Sequence, residues 1–320
     1  MPKDLAQTLR RVPELSLNSY IDGSKNDKAK FIDDFFVGLK DYGFIVLKDH
    51  PIPDALLNKA YALVAELFSQ PVEKKMKYAL KDKGFQRGYT PFGTEHAKNS
   101  PVMDLKEFWH IGRDLPPGHR YASNYPDNIW PAEVPEFKEV LTKIYKALDE
   151  TGKVMLEALT GPLELESDYF SKMMGEGNSI LRLLHYPPIP EGIDPRCVRA
   201  APHEDINLIT ILVSATASGL QLKDRDGTWL PIESQPNSLV VDAGDMLARL
   251  TNDVIPSTTH QVVNPEGQNT TRYSMPYFIH PNPDAILKCL PSCRGTGEKY
   301  PPITSQDFLF QRLREIGLMK

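Results

Sequence analysis

The sequence lacks several features that would point to a membrane, extracellular or nucleic-acid-binding protein. It contains no apolar run long enough to cross a bilayer, and the opening MPKDLAQTLRRVPELSL has no apolar segment of signal-peptide length. Its three cysteines, Cys197, Cys289 and Cys293, are too few for a disulfide framework and fit a reducing compartment. Positive charge is not in excess, because 37 Lys and Arg oppose 42 Asp and Glu, a net charge of −5. We therefore expect a cytoplasmic protein that binds neither membranes nor nucleic acid.

Helical periodicity dominates the first half of the 320-residue chain. Apolar residues at helical spacing predict helices over about residues 27–43, 53–71 and 134–160. The first of these helices is followed by a short strand, GFIVLKDH. A last helix, TSQDFLFQRLREIGL, is expected to be capped by Thr304 or Ser305.

The second half of the chain changes character and favours strands. Short β-favouring runs are separated by Gly, Pro, Asp or Asn: SILRLLHY, INLITILV, GLQLKD, TWLPI, SLVVDAG, DMLARLT, HQVVN and RYSMPYFIH. DRDGTW between two of them is typical of a hairpin turn. Many closely spaced short strands predict a sandwich or barrel, and we expect one β core wrapped by helices from both ends of the chain.

The segment APHEDINLIT contains a candidate metal site. If it is a strand, His203 and Asp205 point to one face and Glu204 to the other. A third ligand, His260, begins the run HQVVN. Two histidines and one carboxylate leave several coordination positions open, which suits non-haem Fe(II). A hydrolytic zinc site could use the same residue types, so both metals remain open from these residues alone.

A candidate carboxylate-binding site follows twelve residues later. Arg272 and Ser274 share one face of the strand RYSMPYFIH, which we expect beside the metal-bearing strand. Arginine presents a planar fork that matches a carboxylate, and the serine hydroxyl adds one donor. Tyr186, at the end of LRLLHY, could donate a third hydrogen bond from a neighbouring strand. A dicarboxylate held here by one end could reach the metal with its other end.

The order of these motifs resembles the Fe(II)- and 2-oxoglutarate-dependent dioxygenases of the isopenicillin N synthase-like superfamily. The similar segments are LRLLHYPP, HEDINLITIL, GLQLKDRDGTWLPIESQPNSLVVDAGDMLARLTND, STTHQVVNP and RYSMPYFIHPNPDAIL, with a looser likeness in YGFIVLKDHPIP and ELFSQPVEKKMKY. Two positions depart from the family pattern: Leu184 stands in place of an asparagine and His185 in place of a tyrosine. A third, Gln261, replaces a frequent arginine after the second histidine. None of the three is one of the candidate metal ligands.

The resemblance implies a mixed α/β fold with a mainly β core, a double-stranded β-helix or jelly roll flanked by N- and C-terminal helices. It divides the chain into an N-terminal helical and strand region at 1–175, the jelly-roll core at 176–285 and a C-terminal helical extension at 286–320. It also implies that His203, Asp205 and His260 hold Fe(II), and that Arg272, Ser274 and Tyr186 bind 2-oxoglutarate.

The chemistry implied by the resemblance is O₂-dependent oxidation of a C–H bond in a small molecule, usually hydroxylation, with release of succinate and CO₂. Ascorbate is a candidate reductant. Two other functions remain open: an Fe(II) oxidase of the same superfamily that does not use 2-oxoglutarate, and a non-catalytic, metal-containing jelly-roll binding protein. The oligomeric state is left undefined.

The aromatic and charged segment from 85 to 113, FQRGYTPFGTEHAKNSPVMDLKEFWHIGR, is predicted to be a loop. It is either a solvated connector with some core aromatics or a lid or substrate wall, and both remain open. Arg87, Tyr89, Phe108 and Arg182 are the candidate substrate-binding residues. An arginine at such a site suits a carboxylate-bearing or otherwise anionic substrate. The remaining histidines lack partners at ligand spacing and are expected not to bind metal.

Overall fold

The structure is a computed structural model, which describes residues 10–81, 84–96 and 101–315. Eight α-helices occur in these ranges: α1 Leu17–Ile21, α2 Lys25–Tyr42, α3 Asp54–Ser69, α4 Val72–Met76, α5 Phe137–Ala158, α6 Tyr169–Met174, α7 Asp245–Leu250 and α8 Ser305–Glu315. In the part of the chain that the structure describes, none of these helices combines the length and the apolar composition needed to span a bilayer.

Fourteen strands occur in the same ranges: β1 Glu14–Ser16, β2 Phe44–Lys48, β3 Gly88–Thr90, β4 Glu107–Gly112, β5 Ile180–Tyr186, β6 Ala200–His203, β7 Ile209–Val213, β8 Leu220–Lys223, β9 Trp229–Pro231, β10 Leu239–Ala243, β11 His260–Val262, β12 Arg272–Ile279, β13 Ile286–Leu287 and β14 Ile303–Thr304. A large sheet has the order β1-β2-β10-β7-β12-β5-β4-β3, and a small sheet the order β6-β11-β8-β9. These two sheets form the jelly roll, and β13 pairs with β14 separately. Because β1 to β4 join the large sheet, the N-terminal half is part of the same β core.

The helices pack on the outer face of the large sheet. Side chains of α2, α3 and α5 contribute to one continuous apolar core with residues of β5, β7 and β12. Burial of apolar surface is the main favourable term in folding, so this layer holds the large sheet in place. A second, smaller apolar cluster that includes Phe44, Leu184, Leu222 and Val262 fills the space between the two sheets.

Several helices and strands begin or end at residues that favour caps and turns. Ser24 caps α2 in a capping box with Asp27, and Gly43 ends the same helix at a φ of 70°. The β8–β9 hairpin turns through Gly227, at a φ of 86°. Thr304 caps α8 by accepting a hydrogen bond from the Asp307 amide at 3.1 Å. The predicted capping residue at this end is therefore Thr304 rather than Ser305.

The structure corrects four expectations about secondary structure. DMLARLT, predicted as a strand, forms helix α7. The segment 85–113 is not only loop, because it contributes β3 and β4 to the large sheet. Asp205 lies beyond the end of β6, so strand alternation does not place it beside His203. The strand carrying Arg272 is not beside the metal-bearing strands either, since it lies in the large sheet.

Candidate active site

Three candidate metal ligands converge between the two sheets. His203 ends β6 and His260 begins β11, and the two residues are directly paired across these strands. The Nε2 atoms of His203 and His260 lie 3.9 Å and 3.8 Å from Oδ1 of Asp205. The three ligand atoms all lie within 4.8 Å of one another, and no other group of three His, Cys, Asp or Glu side chains in the described ranges does so. We call these residues the triad.

Hydrogen bonds to the backbone orient both imidazoles for metal binding. Nδ1 of His203 lies 2.8 Å from the carbonyl oxygen of Ala201, and Nδ1 of His260 lies 3.1 Å from that of Thr258. A carbonyl can only accept, so each Nδ1 must carry the proton and donate it. Each Nε2 is left with a free lone pair facing Asp205, which is the tautomer that metal binding requires.

The carboxylate of the triad is fixed from behind by a buried hydroxyl. Thr210 donates from Oγ1 to Oδ2 of Asp205 and accepts a hydrogen bond from Nδ2 of Asn207 at 2.9 Å. Oδ1 therefore remains free to bind a metal.

Burial, together with the charge of Asp205, raises the pKa of the nearby Asp242 well above its usual value. Burial and the neighbouring His260 lower the pKa of His203 to about 4, so its ring is neutral at pH 7.

A first cavity leads from the triad to a buried guanidinium, and we call it the inner cavity. The triad, Arg272, Ser274 and Tyr186 all line it. Arg272 and Tyr186 are paired across β12 and β5, and the guanidinium carbon lies 5.0 Å from the centre of the tyrosine ring. Arg272 donates to Oγ of Ser274 at 3.3 Å and to the carbonyl oxygen of Ala217 at 3.0 Å. The three predicted carboxylate-binding residues thus lie together, although they do so in the sheet opposite His203 and His260.

A second cavity, of about 280 Å³, opens on another side of the triad, and we call it the outer cavity. Arg182 lines both cavities. Its guanidinium lies 4.2 Å from the ring centre of Phe108 and 5.3 Å from that of Phe278. It donates to Nε2 of His110 at 2.7 Å and to Glu95 at 3.2 Å. These contacts hold a cation at a fixed position in the cavity wall.

Further charged residues of the outer cavity were not predicted from the sequence. Lys106, which also lines the inner cavity, lies 2.7 Å from Glu95 and 2.8 Å from Asp104. Burial and the charge of Arg182 lower the pKa of His110 well below its usual value, so the neutral ring accepts from Arg182. Phe108 and His110 share one face of β4, and Lys106 directly precedes this strand. Assigning LKEFWHIG to a strand would have indicated that Phe108 and His110 face the same side.

The C-terminal helix forms part of the wall of the outer cavity. Leu309, Arg312 and Leu313 of α8 line it. Nε of Arg312 lies 2.9 Å from Asp245, at the start of α7, and its Nη2 lies 3.9 Å from Glu204, which separates the two ligands of the HED motif. Sequence patterns alone gave no reason to place this helix beside the candidate metal ligands.

Three of the four predicted substrate residues, Arg87, Tyr89 and Phe108, do not line the inner or the outer cavity. Tyr89 is buried in the core beneath the helices, where its hydroxyl donates to Glu107. Arg87 is also buried, and its guanidinium donates to Asn178 at 2.8 Å. Phe108 supports Arg182 through ring contact, and Arg182 itself lines both cavities.

Comparisons with known proteins agree with the motif order. A profile of the non-haem dioxygenase in morphine synthesis N-terminal family matches residues 12–133, and one of the 2OG-Fe(II) oxygenase superfamily matches residues 177–281. The 2-oxoglutarate-Fe(II) type oxidoreductase hxnY of Emericella nidulans is 34% identical over 293 residues, which cover 88% of this chain and 83% of that protein.

Two solved structures are similar over nearly their whole length. A 2OG-Fe(II) oxygenase family protein from Caulobacter crescentus is 46% identical with a TM-score of 0.86, covering 95% of this chain and 98% of that one. A full-length Neurospora crassa protein, solved in complex with alpha-KG and thymine, is 31% identical with a TM-score of 0.85, covering 95% and 96% respectively.

Proposed function

Because this chain belongs to the 2OG-Fe(II) oxygenase superfamily, we propose that the triad of His203, Asp205 and His260 holds the Fe(II) on which its activity depends. The enzyme is an Fe(II)- and 2-oxoglutarate-dependent oxygenase of a small molecule. Bound Fe(II) supplies the activation of O₂, with 2-oxoglutarate converted to succinate and CO₂ and a substrate C–H bond oxidised, in the commonest case to C–OH. The three ligands leave coordination positions open for this chemistry.

The observation that carries this assignment is the position of the triad where two cavities meet. His203 and Asp205 line both the inner and the outer cavity, as do Lys106, Arg182 and Phe278. An oxygenase of this kind must hold its co-substrate and its substrate on different sides of one metal. A structural metal site would be fully ligated by protein and would not require two openings.

The co-substrate occupies the inner cavity in this proposal. The guanidinium of Arg272 and the hydroxyl of Ser274 bind the distal carboxylate, and the Tyr186 hydroxyl donates a further hydrogen bond. All three residues are buried, so their polar contacts act in a medium of low dielectric constant, where charge-assisted hydrogen bonds are strong. The apolar side chains of Leu184 and Val262 also line this cavity and exclude water from the carbon chain of the co-substrate.

The substrate occupies the outer cavity and accepts hydrogen bonds from Arg182. Nε and Nη1 of Arg182 are engaged by His110 and Glu95, which leaves Nη2 without a partner among the described residues and so open to a ligand. The cavity volume of about 280 Å³ suits a small polar molecule, and the Phe278 ring offers a flat apolar surface. The Neurospora crassa protein of similar structure was solved with thymine. We therefore propose a polar substrate of about the size of a nucleobase, bearing a carbonyl or carboxylate oxygen.

Further proposals concern the setting of the enzyme. The net charge of −5 and the small cavity favour a small molecule over nucleic acid. Three buried cysteines, all free thiols, favour a cytoplasmic location. We propose the predicted division of the chain into regions 1–175, 176–285 and 286–320. Strands of the first region complete the large sheet of the second.

Succinate formation tests the proposed function directly. Purified protein with Fe(II), ascorbate and 2-oxoglutarate would be incubated with a panel of small carbonyl-containing and carboxylate-containing molecules, beginning with pyrimidine bases. Succinate and a substrate mass increase of one oxygen atom would be measured together by mass spectrometry. We expect one panel member to stimulate succinate formation, and His203→Ala to abolish that stimulation. Oxidation of a panel member without 2-oxoglutarate would instead indicate an Fe(II) oxidase.

A further inference from the structure

A large cavity lies on the far side of the co-substrate anchor from the triad. It has a volume of about 720 Å³, and Arg272, Leu212 and Leu220 line both this far cavity and the inner cavity. None of the triad residues lines the far cavity. Arg272 therefore stands between the two spaces, with the proposed co-substrate on one side and the far cavity on the other.

A second buried guanidinium, that of Arg199, lines the far cavity. Arg199 precedes β6 directly, and only 1% of its surface is exposed. Its Nη2 donates to the carbonyl oxygen of Thr270, and its backbone amide donates to Asn264 at 3.1 Å. These bonds fix both its backbone and its guanidinium. Its Nε is buried without a hydrogen-bond partner among the described residues.

Neither buried arginine has an anionic partner within the described ranges. The hydrogen bonds of the Arg199 and Arg272 guanidiniums go to carbonyl and hydroxyl oxygens. Glu233 and Glu266 line the same cavity but are exposed residues, and neither lies within 4 Å of the two guanidiniums. Burial and the repulsion from Arg272 lower the pKa of Arg199, so the two cations act on one another. Two buried cations without a counter-ion are costly unless a bound anion offsets them.

We propose that Arg199 is an electrostatic support of the co-substrate site: together with Arg272 it offsets the charge of the distal carboxylate of 2-oxoglutarate. Arg199 does not line the inner cavity and does not contact the co-substrate, so it acts as a positioning residue through the field at Arg272. This inference rests on the proposed function, because it requires 2-oxoglutarate to bind in the inner cavity.

The proposal predicts an effect that depends on the distal carboxylate of the ligand. The test compares 2-oxoglutarate with 2-oxopentanoate, which keeps the keto acid end but ends in a methyl group. Both would be titrated into anaerobic, Fe(II)-loaded protein by isothermal titration calorimetry, with the visible charge-transfer band of the complex as a second readout. Arg199→Gln should weaken 2-oxoglutarate binding by about tenfold, because it removes one positive charge that attracts the distal carboxylate across a partly screened protein interior. It should leave 2-oxopentanoate binding unchanged.

Two further variants separate charge from structure. Arg199→Lys retains the charge and should bind 2-oxoglutarate within about threefold of the unchanged protein, since only the planar fork is lost. Arg196→Gln removes an exposed arginine of the same loop, which pairs with Asp194, and should change the affinity for neither ligand. Thermal melts would establish that all variants are folded.

The outcomes distinguish this inference from the proposed function. If Arg199→Gln lowered the affinity for both ligands equally, the role of Arg199 would be merely structural. If it lowered the affinity for neither, the proposed electrostatic role would be refuted. If the unchanged protein bound 2-oxoglutarate no better than 2-oxopentanoate, the proposed function of Arg272 would fall together with that of Arg199. Selective loss of 2-oxoglutarate affinity in Arg199→Gln, with affinity retained in Arg199→Lys, is the result that we expect.

Discussion

Thr210→Val should weaken metal binding without touching any metal ligand. The Thr210 hydroxyl is buried and donates to Oδ2 of Asp205, while Oδ1 faces the two histidines. Valine keeps the shape of threonine but cannot donate a hydrogen bond. The carboxylate then loses the contact that fixes its orientation, and Asn207 loses its acceptor on the same hydroxyl. Residues behind metal ligands act in this way because they orient the ligand and hold it in its charged form.

The expected size of this effect follows from the single bond that is removed. A hydrogen bond to a charged group contributes about 1.5–3 kcal/mol, which corresponds to a loss of roughly 10- to 150-fold in affinity. Substitutions behind metal ligands typically cost about 10- to 100-fold in metal affinity. We therefore expect Thr210→Val to raise the dissociation constant for the metal by about 10- to 100-fold.

Calorimetric titration with Mn(II), a redox-stable substitute for Fe(II), is the assay for Thr210→Val. Thr90→Val is the matched control, because the Thr90 hydroxyl is also buried but has no hydrogen-bond partner among the described residues. It should bind Mn(II) as tightly as the unchanged protein. If Thr210→Val and Thr90→Val bound the metal equally well, the proposed orienting role of Thr210 would be refuted.

Three further predictions concern the outer cavity, the core and the effect of pH. Arg312→Met removes the ion pairs that join α8 to Asp245 and Glu204, so KM for the substrate should rise severalfold in steady-state assays while 2-oxoglutarate affinity stays constant. A change confined to 2-oxoglutarate would contradict this. Lys75→Met removes the ammonium that lies 2.9 Å from the buried carboxylate of Glu107, which keeps its contacts with Tyr89 and His185. The free energy of unfolding in urea should fall by about 1–3 kcal/mol, and an unchanged value would contradict this. Burial lowers the pKa of His280 to about 4, whereas in the unfolded chain it is about 6.5, so stability should fall as the pH drops between these values. His280→Gln should make that decline shallower, and an unchanged slope would argue against a buried neutral ring.

The sequence predicted those parts of the molecule whose signals are local. Helix α2 was predicted because Phe31, Phe35 and Leu39 repeat at helical spacing and Gly43 can adopt the positive φ that ends the helix. The placement of His260 at the start of a strand was also predicted, and its pairing with His203 brings the two rings to 4.4 Å between centres. These features depend on residues close in sequence or on motifs of fixed order.

Other features depend on contacts between distant segments, which periodicity does not encode. All six residues of β4 are buried, so this strand shows no alternation of polar and apolar residues. Helix α7 is short and begins beside the Asp205 loop, where the Asp245 amide donates to the carbonyl oxygen of Asp205 at 2.8 Å. The ion pairs of Arg182 and of Arg312 join elements far apart in the chain. For this reason the proposed metal ligands were accessible to sequence reasoning, whereas most of the proposed substrate wall was not.

A crystal structure of the protein grown anaerobically with Fe(II) and 2-oxoglutarate would test the proposed metal and co-substrate sites together. We expect one iron ion bound by Nε2 of His203, Oδ1 of Asp205 and Nε2 of His260. We also expect the keto acid end of 2-oxoglutarate on that ion and its distal carboxylate on Arg272. Iron bound elsewhere, or a co-substrate whose distal carboxylate lies away from Arg272, would contradict both assignments.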